Sequence, residues 1–227
     1  MIRDLFRFYS YKYREKIFYL NGINSKVYDP ETQTSYFISN YVWKQDKDLF
    51  EKWCKGETGY PFVDANMKEL NETGYMSNRG RINVASFLTR DLGIDWRFGA
   101  EYFETQLIDY DCGINWGMWK WAANVNGDNP EEHHFNVVKQ GYDHDCNGDY
   151  VKMWLTKLVN VPKELIHCPY RMGLVDQKRY KCTIGQDYPA PIIRLEHEWK
   201  QNQIDKAVPK NKPRKSDFDN YLDFENY

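Results

Sequence analysis

The chain has 227 residues, enough for one sizeable core, and a chain of this size buries roughly 70% of its unfolded surface. Its 31 Lys and Arg against 33 Asp and Glu leave a formal charge of −2, which excludes coating of nucleic acid or membranes by bulk charge and confines any DNA contact to a local patch. Five widely spaced cysteines, Cys54, Cys112, Cys146, Cys168 and Cys182, include no Cys-x-x-Cys pair and read as reduced thiols of an intracellular protein, with the compartment left open.

The opening MIRDLFRFYSYKYREKIFYL breaks its apolar residues with charges every few positions, so it is neither a signal-peptide core nor a membrane span. Leu5, Phe8, Tyr9, Tyr13, Ile17 and Leu20 fall at helical spacing and predict an amphipathic helix over 4–20. Turn-forming residues dominate 22–39. Asp46 suits the N-cap of a helix reaching Lys55, with Leu49, Phe50 and Trp53 turned inward. In PFVDANMKELNETG, Pro61 suits a first helical turn and Gly74 a stop. Over 78–91, Val84, Phe87, Leu88 and Leu92 keep helical spacing while Asn78, Arg81 and Ala85 share another face. A further helix is expected over 98–109, with Tyr102, Phe103, Gln106 and Leu107 along its inner stripe.

No period-2 run is long enough to require a sheet, and there is no internal repeat, so the fold class is all-α. After Trp199 the chain turns basic and Pro-interrupted, then acidic. A domain over 1–199 followed by a mobile, charged tail over 200–227 is expected.

Several chemical motifs fail on inspection. DHDCNGDYVKMW, 143–154, matches an EF-hand loop at positions 1, 3, 5 and 6, but Trp154 occupies the place of the bidentate Glu, leaving a polar turn before a helix. His133 and His134 point in different directions on most backbones, so they and His144 and Cys146 read as surface loop and no metal is expected. No Gly-rich phosphate loop or Gly-x-Ser-x-Gly elbow is present.

The segment NWGMWKW, 115–121, crowds three tryptophans together. On a helix Trp119 and Trp121 diverge by about 200°, whereas Asn115 and Trp119 face one object. With Asn78, Arg81, Asp109 and Asp111, the mixture of carboxylates, guanidinium, amides and aromatic walls suits a large planar, partly polar ligand. It suits a Trp-rich core rimmed by ion pairs about equally well.

The stretch from WCKGETGYPFVDANMKELNETGYMSNRGR through GAEYFETQLIDYDCGINWGMWKWAA to FNVVKQGYDHDCNGDYVKMWL and IHCPY resembles the flavin-binding helical domain of the photolyase and cryptochrome family. Its MSNRGR and GAEYFE wording is that of the DASH-type cryptochromes, and the resemblance runs from Arg3 to about Tyr170. It implies a cofactor, FAD, bordered by Asn78, Arg81, Asp109, Tyr110 and Asp111, with Arg81 pairing to Asp109 and Asn115 facing N5 of the flavin ring. It implies an electron-transfer chain of Trp119, Trp96 and Trp43, from the flavin outward. Trp121 matches the wall on which flipped, damaged bases stack, and Arg79 and Gln140 match contacts to the DNA backbone. The implied activity is light-driven repair of cyclobutane pyrimidine dimers in DNA, single-stranded DNA being one candidate substrate.

Two departures qualify the match: Ile82, on the substrate side, stands where photolyases often carry Met and DASH proteins Gln, and EEHHF replaces Arg-containing wording. Family members also carry an antenna-binding α/β domain, a segment gripping the FAD phosphates, a Glu and a Trp ahead of the positions matching Arg3 and Asp4. The Trp would fall at Ile2 and the Glu before Met1. The expectation is therefore a partial domain that holds FAD weakly by itself and carries no antenna chromophore. Three roles fit: the C-terminal half of a split photolyase with a separately encoded N-terminal half, an inactive remnant, or a module binding flavin or single-stranded DNA without catalysis.

Overall fold

Helix boundaries follow local chemistry in the computed structural model, which describes residues 2–20, 27–29, 34–36, 42–125 and 134–195. Asp46 caps α2, Lys47–Lys55, by accepting the Leu49 N–H at 3.0 Å, and Gly56 ends it in the left-handed region at φ 63°. Pro61 opens α3, Pro61–Thr73, which stops at Gly74 with φ 69°. Ser77 caps α4, Asn78–Ser86, and the chain then widens into a π-type turn, Phe87–Asp91, closed by the Leu92 N–H on the Phe87 carbonyl at 2.9 Å.

Three expectations change. The first helix, α1, is Ile2–Tyr13; at Arg14, with φ 47°, the chain leaves the α conformation and continues as a 3-10 segment, Arg14–Phe18. The region expected to be turns contains two three-residue antiparallel strands, β1 Val27–Asp29 and β2 Thr34–Tyr36, with Val27 opposite Tyr36. The helix expected over 98–109 is α5, Trp96–Gln106. Asp95 starts it early by capping the Arg97 N–H at 3.0 Å, and Leu107 turns extended, so Asp109 lies in the following loop.

The remaining helices are α6 Cys112–Ala123, α7 Val137–His144, α8 Asp149–Trp154 and α9 Leu174–Tyr180. In the EF-hand-like stretch Asp145 accepts the Tyr150 and Val151 N–H groups, each at 3.0 Å, so its carboxylate serves the start of α8. Helix α6 packs against both α1 and α5, and α3 packs against α2, α4, α7 and α8.

One part of the core gathers Trp53, Val84, Leu88, Phe103 and Trp119, all nearly or fully buried. A second joins Ala65 to Val151, Leu158, Ile166 and Tyr188. Beside it the buried Asp64 carboxylate accepts from Thr58 N, Thr58 Oγ1, Gly59 N and Tyr188 Oη. Burial pushes its pKa up and the four donors oppose that shift. Next to this knot the Ile192 N–H reaches the Thr58 carbonyl at 3.0 Å and Tyr60 Oη the Ile193 carbonyl at 2.9 Å.

Compactness divides the chain into Met1–Arg194 and Leu195–Tyr227, and of the second unit only Leu195 is described. The tail expected over 200–227 and His133 lie outside the described residues. Among the described residues no helix is long and apolar enough to cross a membrane.

Candidate flavin and nucleic-acid site

The first group of site residues is held by the junctions around α4 and α6. Arg81 donates Nε to the Met76 carbonyl at 2.8 Å and Nη2 to both oxygens of Asp109, each at 2.9 Å. The Asp109 turn is fixed where the Ile108 N–H meets the Gly74 carbonyl at 3.0 Å, and the Tyr75 ring lies 5.9 Å from the guanidinium carbon. Helices α3 and α4 approach so closely that a Cβ on Gly80 would sit 2.0 Å from Asn66 Oδ1. Asn78, at the first position of α4, is exposed.

Asp111 caps α6: its Oδ1 accepts the Ile114 N–H at 3.1 Å and its Oδ2 accepts from Arg7 Nη2 at 3.2 Å. The Ile114 N–H, with help from Arg7, holds this carboxyl below the usual range. Arg7, reaching across from α1, carries no sequence signal for this role. One turn into α6, the buried Asn115 donates Nδ2 to the Ala100 carbonyl at 2.9 Å, which leaves its side-chain oxygen as the group on offer. Tyr110 lies between the two aspartates in sequence but bonds to Glu104 and Cys112; burial, with these bonds, pushes its phenol up.

The tryptophans spread along the α5–α6 contact. Trp119 is buried, with Phe103 5.1 Å and Trp53 6.0 Å away, both edge-on. It lies directly over Gly99, where an added Cβ would come 2.2 Å from Trp119 Cη2. Trp96, three residues before Gly99 and therefore on the same face of α5, is fully buried and donates Nε1 to the Leu20 carbonyl at 3.0 Å. Trp43 is brought to the start of α5 by its neighbour Lys44, whose N–H meets the Gly93 carbonyl at 2.8 Å.

Two residues outside the expected site take part in this aromatic contact. Trp116 meets Trp96 edge-on at 5.6 Å and donates Nε1 to Glu104 at 3.2 Å; Trp53, read as core, is an aromatic neighbour of Trp119. Gly99 carried no sequence signal, because only the packing of α6 shows why it is small.

A second group sits where α4 faces α7. Asn83 donates Nδ2 to the Arg79 carbonyl at 2.9 Å and lies 3.5 Å from Gln140 Oε1. Arg79 is half-buried, and desolvation lowers its pKa; Ile82 and Gln140 are buried, and Trp121 is half-buried. His134, expected in a loop, pairs with Asp91 at 2.8 Å.

The carboxylate–guanidinium pair, the anchored amide of Asn115 and the adjoining buried indole of Trp119 are a donor and acceptor set that fits a flavin ring edge. The family model for the FAD binding domain of DNA photolyase matches residues 11–206, and the chain belongs to the photolyase and cryptochrome family. It is similar to cryptochrome DASH of Synechocystis sp., 46% identical over 193 residues, and of Xenopus laevis, 44% identical over 200 residues. These alignments cover 85% and 88% of this chain but 37% and 36% of the relatives, so the chain spans just over a third of their length. The crystal structure of a Synechocystis sp. cryptochrome superposes with a TM-score of 0.77 at 43% identity, covering 89% of this chain and 39% of that one. A bacterial class III photolyase from Agrobacterium tumefaciens superposes at 0.71 with 30% identity, covering 90% and 40%.

Proposed function

We propose that this chain supplies the isoalloxazine-facing part of an FAD site and, together with the N-terminal part of the photolyase fold, repairs cyclobutane pyrimidine dimers in DNA under light, single-stranded DNA being the first substrate to test. Bound, reduced and excited by blue or near-ultraviolet light, FAD would supply the electron that opens the cyclobutane ring and receive it back.

The chain's own residues bind and orient. Arg81 and Asp109 clamp the turn beside the ring, and Asp111 fixes the start of α6. With its amide nitrogen committed to the Ala100 carbonyl, Asn115 would offer its side-chain oxygen to the flavin ring. Trp119, Trp96 and Trp43 conduct an electron inward from the surface. Trp121 stacks on the flipped base, which aromatic side chains do for roughly 1–3 kcal/mol per base. Arg79 and Gln140 meet the phosphate backbone beside Ile82.

The observation that carries this reading is the fixed geometry of Asn115, one helical turn from Trp119 and anchored on α5. The test is co-expression with an N-terminal photolyase fragment carrying the antenna and phosphate-binding segments. The expected result is a complex with flavin absorbance that restores dimer-containing oligonucleotides under blue light. A flavin-bound complex without repair overturns the catalytic reading and leaves a binding module; a complex without flavin, or no complex, favours an inactive remnant.

A further inference from the structure

Trp116 has no place in the electron-transfer series of Trp119, Trp96 and Trp43, yet it touches that series. Its ring meets Trp96 edge-on with centroids 5.6 Å apart, and on α6 it stands three residues before Trp119. Phe18 covers it edge-on at 4.7 Å, and only 6% of its surface is exposed.

The partner of its N–H sets it apart from the other buried indoles. Trp96 donates Nε1 to the Leu20 carbonyl at 3.0 Å and Trp53 donates Nε1 to the Val84 carbonyl at 3.1 Å, and a peptide carbonyl does not hold a proton at neutral pH. Trp116 instead donates to Oε2 of Glu104 at 3.2 Å, a carboxylate within the reach that a general base requires. Glu104 is exposed on α5, where Tyr110 bonds to it as well, so a proton received there has a way to water. An indole that has lost an electron is far more acidic than the neutral ring, and a cation kept in a buried place is costly. Trp96 has to keep that charge, whereas Trp116 can give it up.

We propose that Trp116 and Glu104 form a side arm of the electron-transfer series, in which the oxidised indole of Trp116 passes its Nε1 proton to Glu104 and so holds the oxidising equivalent away from the flavin. The inference rests on the electron-transfer part of the proposed function. One electron passes from Trp116 to the oxidised ring of Trp96. The N–H bond of Trp116 breaks as an O–H bond forms on Glu104, leaving a neutral indolyl radical beside a carboxylic acid. An external thiol, oxidised to its disulfide, returns the electron and Glu104 returns the proton, while the thiol's own proton goes to solvent.

Glu104→Gln is the test, because the amide oxygen still accepts the indole N–H but takes no proton. In the flavin-free 227-residue chain, laser photoionisation of the indoles should show a fast step from radical cation to neutral radical by transient absorption. That step should be missing in Glu104→Gln and in Trp116→Phe alike. Its survival in Glu104→Gln overturns the proposal.

In the assembled flavin complex with a thiol present, Glu104→Gln should slow photoreduction severalfold while the urea midpoint stays unchanged. Glu104→Ala, which also removes the anchor of the indole, should slow it no less. A flavin-bound complex whose photoreduction is unchanged in Glu104→Gln removes the side arm and leaves the proposed function standing; a complex without flavin removes both.

Discussion

A single nitrogen of Arg81, Nη2, reaches both oxygens of Asp109 at 2.9 Å, while Nε of the same guanidinium holds the Met76 carbonyl. The contact therefore locks one loop to the start of another helix. Asp109 is half-exposed, so the pair itself adds little to stability.

Arg81→Ala should accordingly lower unfolding stability by only about 1 kcal/mol, by removing one ion pair and one backbone contact. FAD binding by the assembled protein should fall much further, because the Asp109 turn loses its anchor. Urea unfolding and flavin fluorescence quenching measure the two effects separately, and equal losses in both would show that Arg81 only supports the fold.

Gly99→Ala tests the seat of Trp119. The added carbon would lie 2.2 Å from Cη2, so the indole or α5 must shift, at a cost of about 1–3 kcal/mol for an overpacked core. A lowered urea midpoint with changed tryptophan emission is expected, whereas Gly173→Ala, where an added carbon meets nothing within 4 Å, should leave both unchanged.

Asp64→Asn replaces an acceptor-only group by one that is half donor, in a pocket where Thr58, Gly59 and Tyr188 all donate. At least one buried donor then faces the new amide N–H₂. A loss of about 2–4 kcal/mol is expected at neutral pH, read by chemical denaturation.

His167 gives the acid limb of the stability curve a defined contributor. It is fully buried, its Nε2 donates to the Asp145 carbonyl at 2.7 Å, and burial holds its pKa below the ordinary 6.5. The unfolded chain therefore binds the proton first, so stability is complete above about pH 6.5 and declines as pH falls toward the depressed folded value. Each unit of depression removes up to about 1.4 kcal/mol. Urea midpoints at pH 7.5 and 5.0 should differ more in the native chain than in His167→Gln.

Trp119→Phe keeps an aromatic ring over Gly99 but removes the indole that is easiest to oxidise there. Flavin photoreduction in the assembled complex should slow severalfold or more under steady illumination with an external reductant. An unchanged rate would reduce the tryptophan series to packing.

What the sequence made legible was what local chemistry controls. Asp46 as a cap, Pro61 and Gly74 as punctuation, and the inward Trp53 stand where their residue types place them, and the Arg81–Asp109 pair follows from the family motif. What stayed illegible depends on partners distant in the chain. Gly99 is explained only by Trp119, Arg7 only by Asp111, and the part of Trp116 only by Glu104 and Trp96. The end of α5 at Gln106 escaped because the apolar spacing runs on to Leu107, which is buried as extended chain. The short β1–β2 pair escaped because three-residue strands leave too few alternations to register.

The knot that ties Asp64 to Tyr188 has a consequence for biosynthesis. The two residues are 124 positions apart, so at typical ribosomal speeds the carboxylate waits about 6–25 s for its phenol partner to be made. Throughout that interval the start of α3 lacks the residue that closes over it, and a nascent chain stalled before Tyr188 would expose this seam to proteases and chaperones. Stop codons placed just before position 188 and just after position 193 should therefore separate a degraded product from a persistent one.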